Sequence, residues 1–147
     1  NAGYNLITKF HRPLFVCLDE SEARVATQER FSPVEDVIGK LAGMLETPNL
    51  IVTLGKAGSI ARDAEGRLFR TPVFSSRVVD TVGAGDAFFA FAAPCVAAGM
   101  PLDLVSFVGN AVGALAVQIM GNKKPVERHE LLEFVRVLLP QEKGIRR

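Results

Sequence analysis

The chain carries almost no charge imbalance. Seventeen lysines and arginines oppose sixteen aspartates and glutamates, a net +1 over 147 residues. No field of either sign is therefore present to draw nucleic acid or an acidic membrane surface. Cysteine is scarce: Cys17 and Cys95 stand far apart with no Cys-x-x-Cys spacing. They read as buried reduced thiols, which sets aside a disulfide framework or a thiolate metal site. The two histidines, His11 and His129, lie in polar stretches outside any nucleophile or metal pattern, and no role is assigned to them. No uncharged run is long enough to span a bilayer, since the apolar stretch 87–100 is short and contains Pro94. Neither a secretory signal nor an internal repeat is visible. What is present is apolar: 48% hydrophobic against 22% charged residues, the balance of an ordered globular protein with a real core. The expected setting is cytoplasmic.

Patterning then orders the chain. The run 14–18, Leu-Phe-Val-Cys-Leu, has the character of a strand buried on both faces. It ends at Asp19-Glu20-Ser21-Glu22, and a short helix follows through Thr27. Ser32-Pro33 predicts a helix start with serine as N-cap and proline in the first turn. Val34, Val37, Ile38, Leu41, Met44 and Leu45 then recur at helical spacing until Thr47-Pro48-Asn49 stops them. Residues 50–54 form a second buried strand, closed by Gly55. Strands at 58–62 and 67–71 flank Asp63-Ala64-Glu65-Gly66, which reads as a hairpin turn. A strand is expected at 77–79, then long helices near 85–98 and 102–120 and a final helix near 126–139, before a frayed basic tail at 141–147. Phe88, Phe89 and Phe91 share a helical phase and read as core. Strands alternating with helices indicate a parallel α/β sheet.

The most informative stretch is Asp80-Thr81-Val82-Gly83-Ala84-Gly85-Asp86, placed where a strand is expected to turn into a helix. Backbone amides at such a turn lack intrahelical partners, and the helix dipole adds partial positive charge. Gly83, Ala84 and Gly85 have almost no side chain, so an anion can come close to the backbone. Asp86 follows at the mouth of that site. An anion hole beside a carboxylate base is the minimum equipment for phosphoryl transfer to a hydroxyl. A glycine-rich turn with a capping aspartate is the plain structural alternative.

Other residues sit near the same edge. Thr53-Leu54-Gly55-Lys56-Ala57-Gly58 follows the second buried strand, and ligands of open parallel sheets bind beyond the carboxyl ends of strands. An ordinary glycine-containing turn explains that segment equally well. Asp19 and Glu22, three apart at a helix start, favour the helix dipole. Asn110 interrupts an apolar helix and needs a partner there. Lys56, Lys123 and Lys124 read as solvated surface lysines.

Asp-Thr-x-Gly-Ala-Gly-Asp followed by Ala-Phe resembles the signature of the ribokinase-like (PfkB) carbohydrate kinases. The resemblance implies a three-layer α/β/α fold whose mostly parallel sheet carries a β-hairpin. It also implies ATP-dependent transfer of the γ-phosphate to a hydroxyl of a sugar or polyol, with Asp86 as base and the Gly83, Ala84 and Gly85 amides stabilising charge. By the same resemblance, Thr53, Gly55 and Gly58 border the nucleotide phosphates and Asn110 lies near the adenine. Glu22 and Asp19 would help to hold magnesium through water. Asp19 stands where the family has Asn-x-x-Glu, a departure that adds charge. The family's backbone near Asp80 suggests a monovalent cation such as potassium. The signature belongs to the C-terminal half of such enzymes and the chain starts without methionine. Residues 1–147 are therefore expected to be the C-terminal, nucleotide-binding and catalytic part, with the N-terminal half and the lid absent. Association with that half, or with another copy, is expected. Gly121-Asn122-Lys123-Lys124-Pro125 faintly resembles the kinase half of bifunctional heptose kinase/nucleotidyltransferases.

Two other classes stay open at this point. One is a catalytically silent nucleotide-binding or regulatory module on the same scaffold, which would have no need of Asp86. The other is a dinucleotide-binding domain, which requires a third glycine where this chain has Phe88.

Overall fold

The computed structural model describes residues 5–75, 79–119 and 123–139. Its first strand, β1 (Val16–Asp19), runs directly into α1 (Glu20–Thr27). After a loop come α2 (Val34–Leu45) and β2 (Leu50–Thr53). β1 and β2 are parallel neighbours, with Val16 opposite Leu50 and Asp19 opposite Thr53. Parallel pairing needs a crossover, and the α1–α2 segment supplies it. β2 is followed by a single 3₁₀ turn (Gly55–Ala57) and then by β3 (Ser59–Arg62) and β4 (Leu68–Thr71). Connections this short cannot cross over, so β2–β3 and β3–β4 are antiparallel. The described sheet, in the order β1-β2-β3-β4, is therefore mixed, its parallel part being the β1–β2 pair.

Both faces of the sheet are covered. Val16, Leu18, Leu50, Val52 and Ile60 pack against α1 and α2 through Ala23, Val37, Ile38 and Leu41. Ile51 and Ala61 point the other way, toward α3 (Ala84–Ala97) and α4 (Leu102–Ala116), where they meet Phe88, Ala92, Val96 and Val105. Leu50, Ile51 and Val52 are each 0% exposed, which explains why β2 is an unbroken apolar run rather than an alternating one. A last helix, α5 (Arg128–Leu138), packs on α4 around Val112, Ala116 and Leu131. The expected three-layer α/β/α arrangement is present.

Several local expectations change. Ser32 does not cap α2: Pro33 occupies the N-cap position, and the Ser32 hydroxyl instead donates to the Glu29 carboxylate at 2.8 Å. Glu29 also takes Lys40 at 2.6 Å, so the serine is held by a charged neighbour rather than by the helix start. α3 runs through Pro94, as the expected helix 85–98 does. Residues 76–78 and 120–122 lie outside the described residues, which removes most of the expected strand 77–79 and the start of the Gly121 motif from view, whereas the helix expected at 102–120 ends early, at Ala116 with Val117 as its C-cap. The tail 141–147 lies outside them too. Val79 itself is not in a described strand, because its amide donates to the Val117 carbonyl at the end of α4, at 2.8 Å.

The hairpin turn is as expected. Asp63 accepts from the Arg67 amide at 2.8 Å and from its guanidinium at 2.6 Å, and Gly66 takes a positive φ of 82°. Gly58 is the tightest point of the strand junction. Its φ is +87°, and a Cβ there would lie 2.0 Å from the Thr71 carbonyl oxygen. By contrast, a Cβ at Gly43 in α2 would meet nothing within 4 Å. Gly58→Ala is expected to cost about 3 kcal/mol or more in urea denaturation, from overpacking plus backbone strain. Gly43→Ala should gain about 0.5–1 kcal/mol through helix propensity. A Gly58→Ala protein as stable as the parent would contradict the junction geometry.

Candidate active site

A cavity of about 520 Å³ opens where β1 and β2 end and α3 begins. The register of the sheet builds its floor. Asp19 lies opposite Thr53, Thr53 opposite Ser59, and Ser59 opposite Thr71, so one row across the sheet consists of four polar residues. Asp19 and Thr53 line the cavity, whereas Ser59 and Thr71 are 1% and 8% exposed behind it. The 3₁₀ turn after β2 adds Gly55, Lys56 and Gly58 to the wall.

The opposite wall comes from the helices. Asn110, Gly113, Ala114 and Val117 line the cavity at i, i+3, i+4 and i+7, one stripe of α4 and its C-cap. The residues after Asn110 are small or short, which leaves room for a flat apolar group. Phe88 from α3 closes the base of this wall. It packs so tightly on Gly109 that an added Cβ there would sit 2.4 Å from the ring. Asn110 donates its amide NH₂ to Ser59 Oγ at 2.5 Å and to the Ser106 carbonyl at 2.8 Å. This is the partner that an asparagine in an apolar helix needs.

At the mouth lies the glycine turn. Asp80 Oδ1 accepts from the Val82 amide at 2.9 Å, which shapes the loop before the helix. Gly83 is the N-cap of α3, with a φ of +77° that favours glycine. The Ala84 amide donates to the Thr81 carbonyl at 3.3 Å. The amides of Gly85 and Asp86 have no acceptor among the described residues. Ala84 and Gly85 line the cavity, and an added Cβ at Gly85 would meet nothing within 4 Å. The Asp86 side chain is exposed in the first turn of α3, with no partner among the described residues.

Asp19 and Glu22 form a capping box at the start of α1. Asp19 Oδ1 accepts from the Glu22 amide at 2.8 Å, and Glu22 Oε2 accepts from the Asp19 amide at 3.3 Å. That leaves one oxygen of each carboxylate over, and of the two residues Asp19 alone lines the cavity. Among the described residues no three His, Cys, Asp or Glu side chains group to hold a metal ion. Such a donor set suits magnesium that arrives with phosphate and keeps its own waters, not an all-protein cage. Cys17 is no nucleophile: burial first, then the nearby Glu22 carboxylate, pushes its thiol up to about 12. His129 pairs with Glu127 at the surface and neither histidine lines the cavity.

The cavity thus gathers Asp19, Thr53, Gly55, Gly58, Ala84, Gly85 and Asn110, with Gly83 and Asp86 flanking it on the glycine turn and Glu22 one helical turn behind Asp19. Sequence reasoning did not single out Thr81, Phe88 or Gly113 for this site and placed Lys56 on the solvated surface. The i, i+3, i+4, i+7 spacing from Asn110 was the signal available for the α4 wall.

The family described as "pfkB family carbohydrate kinase" matches residues 10–128. The chain is 37% identical over 125 residues to the uncharacterized sugar kinase YegV of Escherichia coli (strain K12), covering 82% of this chain and 37% of that protein. It is 33% identical over 97 residues to 2-dehydro-3-deoxygalactonokinase of Haloferax volcanii, covering 66% of this chain and 30% of that one. Its fold is similar to that of Arabidopsis thaliana ribokinase complexed with ribose and ATP, with a TM-score of 0.72 at 24% identity over 83% of this chain and 40% of the other. The chain spans less than half the length of each of these proteins. Among the described residues no helix is long and apolar enough to cross a membrane.

Gly85→Ala separates fold from ligand. The methyl group has space, so stability should hold or rise by up to about 1 kcal/mol. Affinity for ADP should fall by about tenfold or more, because the methyl group enters the approach to the helix N-terminus. Thermal melting and calorimetric titration of the variant check the two halves. Undiminished binding would show that the anion does not sit at this turn.

Proposed function

The chain belongs to the pfkB family of carbohydrate kinases, and on that premise we propose that it carries the nucleotide-binding and catalytic part of an ATP-dependent phosphotransferase acting on a sugar or polyol hydroxyl. The observation that supports this most is the placement of Gly85 on the cavity wall with the Asp86 carboxylate, without a partner among the described residues, next to it. An apolar slot, an amide-rich helix start and a base then follow one another over a short distance.

In this reading the nucleobase enters between α4 and the turn after β2, and the phosphates run toward α3. Asp86 accepts the proton of the acceptor hydroxyl as its oxygen bonds to the γ-phosphorus. The bond from that phosphorus to the β–γ bridging oxygen breaks, and ADP leaves. The transition state is loose, so the proton moves late and an ordinary carboxylate suffices as base. The amides of Gly83 and Gly85 stabilise negative charge on the transferring group, helped by the α3 dipole, and the Ala84 amide would give up its 3.3 Å bond to the Thr81 carbonyl to join them. Thr53, Gly55 and Gly58 border the phosphates from the sheet side, and Lys56 at the rim adds a positive charge. Magnesium, when bound, neutralises phosphate charge, and the free oxygens of Asp19 and Glu22 would hold it through water. The relatives, a sugar kinase and a 2-dehydro-3-deoxygalactonokinase, support a sugar or a sugar acid as the acceptor class.

Asp86→Asn tests the base. In the full-length protein, kcat for ATP-dependent sugar phosphorylation should fall by about 10²–10⁴-fold, the usual worth of a positioned base. ADP affinity should stay within about threefold, since the carboxylate does not line the base pocket. Turnover close to that of the parent would remove Asp86 from this role.

A further inference from the structure

The cavity read as an anion site carries more acid than base. Among the described residues that line it, Lys56 is the one cation and Asp19 the one anion. Glu22 stands one helical turn behind Asp19, and Asp86 lies at the mouth. Three carboxylates thus stand around a site that holds one ammonium. A nucleoside diphosphate brings further negative charge to it, and in a partly enclosed cavity such charges are screened less than on an open surface.

The fold holds the Asp19 charge in place. The β1–β2 register sets Asp19 beside Thr53 on the cavity wall. The reciprocal box then fixes Asp19 Oδ1 on the Glu22 amide at 2.8 Å and Glu22 Oε2 on the Asp19 amide at 3.3 Å. Swinging the carboxylate away would leave the Glu22 amide without its acceptor. The second Asp19 oxygen has no hydrogen bond among the described residues. No lysine or arginine among them pairs with Asp19 or Glu22, whereas Glu20, in the same turn, is paired with Arg24 at 2.8 Å. The capping hydrogen bond does not require the charge, since asparagine and serine cap about as well as aspartate, and the helix dipole gains only modestly from it. Position 19 is also where this chain departs from Asn-x-x-Glu, so the charge is its own.

We propose that the Asp19 carboxylate makes the site reject metal-free nucleotide and accept only the metal-bound form. The proposal rests on the nucleotide reading above and adds to it a residue that discriminates between two states of the same ligand. Toward bare phosphate the second oxygen of Asp19 is a like charge in the same cavity, and the cap keeps it from moving out of the way. A divalent cation carried in with the phosphates reverses the sign of that interaction. An uncharged cap at position 19 has no such preference to impose.

ADP is the probe, titrated calorimetrically into the chain once with magnesium and once with EDTA. The unmodified protein should bind magnesium-ADP at least about tenfold more tightly than metal-free ADP. Asp19→Asn keeps the cap and removes the charge. It should tighten metal-free ADP by about three- to tenfold, leave magnesium-ADP within about threefold, and so shrink the ratio of the two affinities. Asp19→Ser also caps without charge; it should shrink the ratio in the same way and serves if Asp19→Asn fails to fold. A purely structural role for Asp19 would change both affinities together and leave the ratio intact, which overturns the proposal. Saturable ADP binding that is equally tight with and without magnesium in the unmodified protein overturns it too and leaves the nucleotide reading standing. Binding of neither form removes both.

Discussion

Hydroxyl and amide groups buried at one end of an apolar sheet have to find partners, and the rest of this molecule is arranged around that requirement. The register aligns Asp19, Thr53, Ser59 and Thr71 in a single row. All four fall on the face turned to α3 and α4, because Ile51 and Ala61 of the same parity pack there. Leaving Ser59 and Thr71 unpaired would cost roughly 1–3 kcal/mol for each buried group. α4 brings Ser106 and Asn110 to them, one turn apart. That fixes where α4 lies along the sheet and which of its faces borders the cavity.

Close approach follows from this docking. Gly109, between Ser106 and Asn110 on the partner-seeking side of α4, has no Cβ, and Phe88 of α3 fills the space. α3 is thereby pressed against α4, and its first turn, headed by Gly83 at positive φ, comes to the cavity mouth. The carbonyl of Val117, at the far end of α4, receives the amides of Val79 and Asp80 and ties down the chain entering that turn. A polar cluster in the middle of α4 and a helix cap at its end thus hold the α4 wall of the cavity and the glycine turn on one frame. Sites held in this way keep their geometry better than sites on free loops.

Much of this was legible in the sequence because it is local. The two apolar runs, the Asp63–Gly66 hairpin and the periodic helices depend on residues close together in the chain, and they fall within a residue or two of their expected ends, except that the helix expected to reach 120 ends at Ala116. The glycine turn and its aspartate were visible for the same reason, as was the set of small residues near it. The misjudged points are those where a distant or charged partner wins. Ser32 was available as a helix cap but is held by Glu29, which Lys40 also holds. The reciprocal box by which Asp19 and Glu22 satisfy two backbone amides is no misjudgement, since acids three apart at a helix start were read as favouring it. The Ser59–Ser106 contact joins residues 47 apart, and nothing in either neighbourhood marks it. Lys56 is the exposed lysine it looked like, but its place on the cavity rim was not legible, because that wall is assembled from the turn after β2 and two helices that lie far along the chain.

The central claim is that the cavity between the row of sheet hydroxyls and the start of α3 takes a nucleoside diphosphate. Calorimetric titration of the chain with magnesium-ADP, with NAD as the control ligand, tests this most directly. The account predicts saturable binding of ADP at one site and no comparable binding of NAD, since the third glycine of a dinucleotide turn is replaced by Phe88. NAD binding as tight as that of ADP, or no heat of binding with ADP, would contradict it.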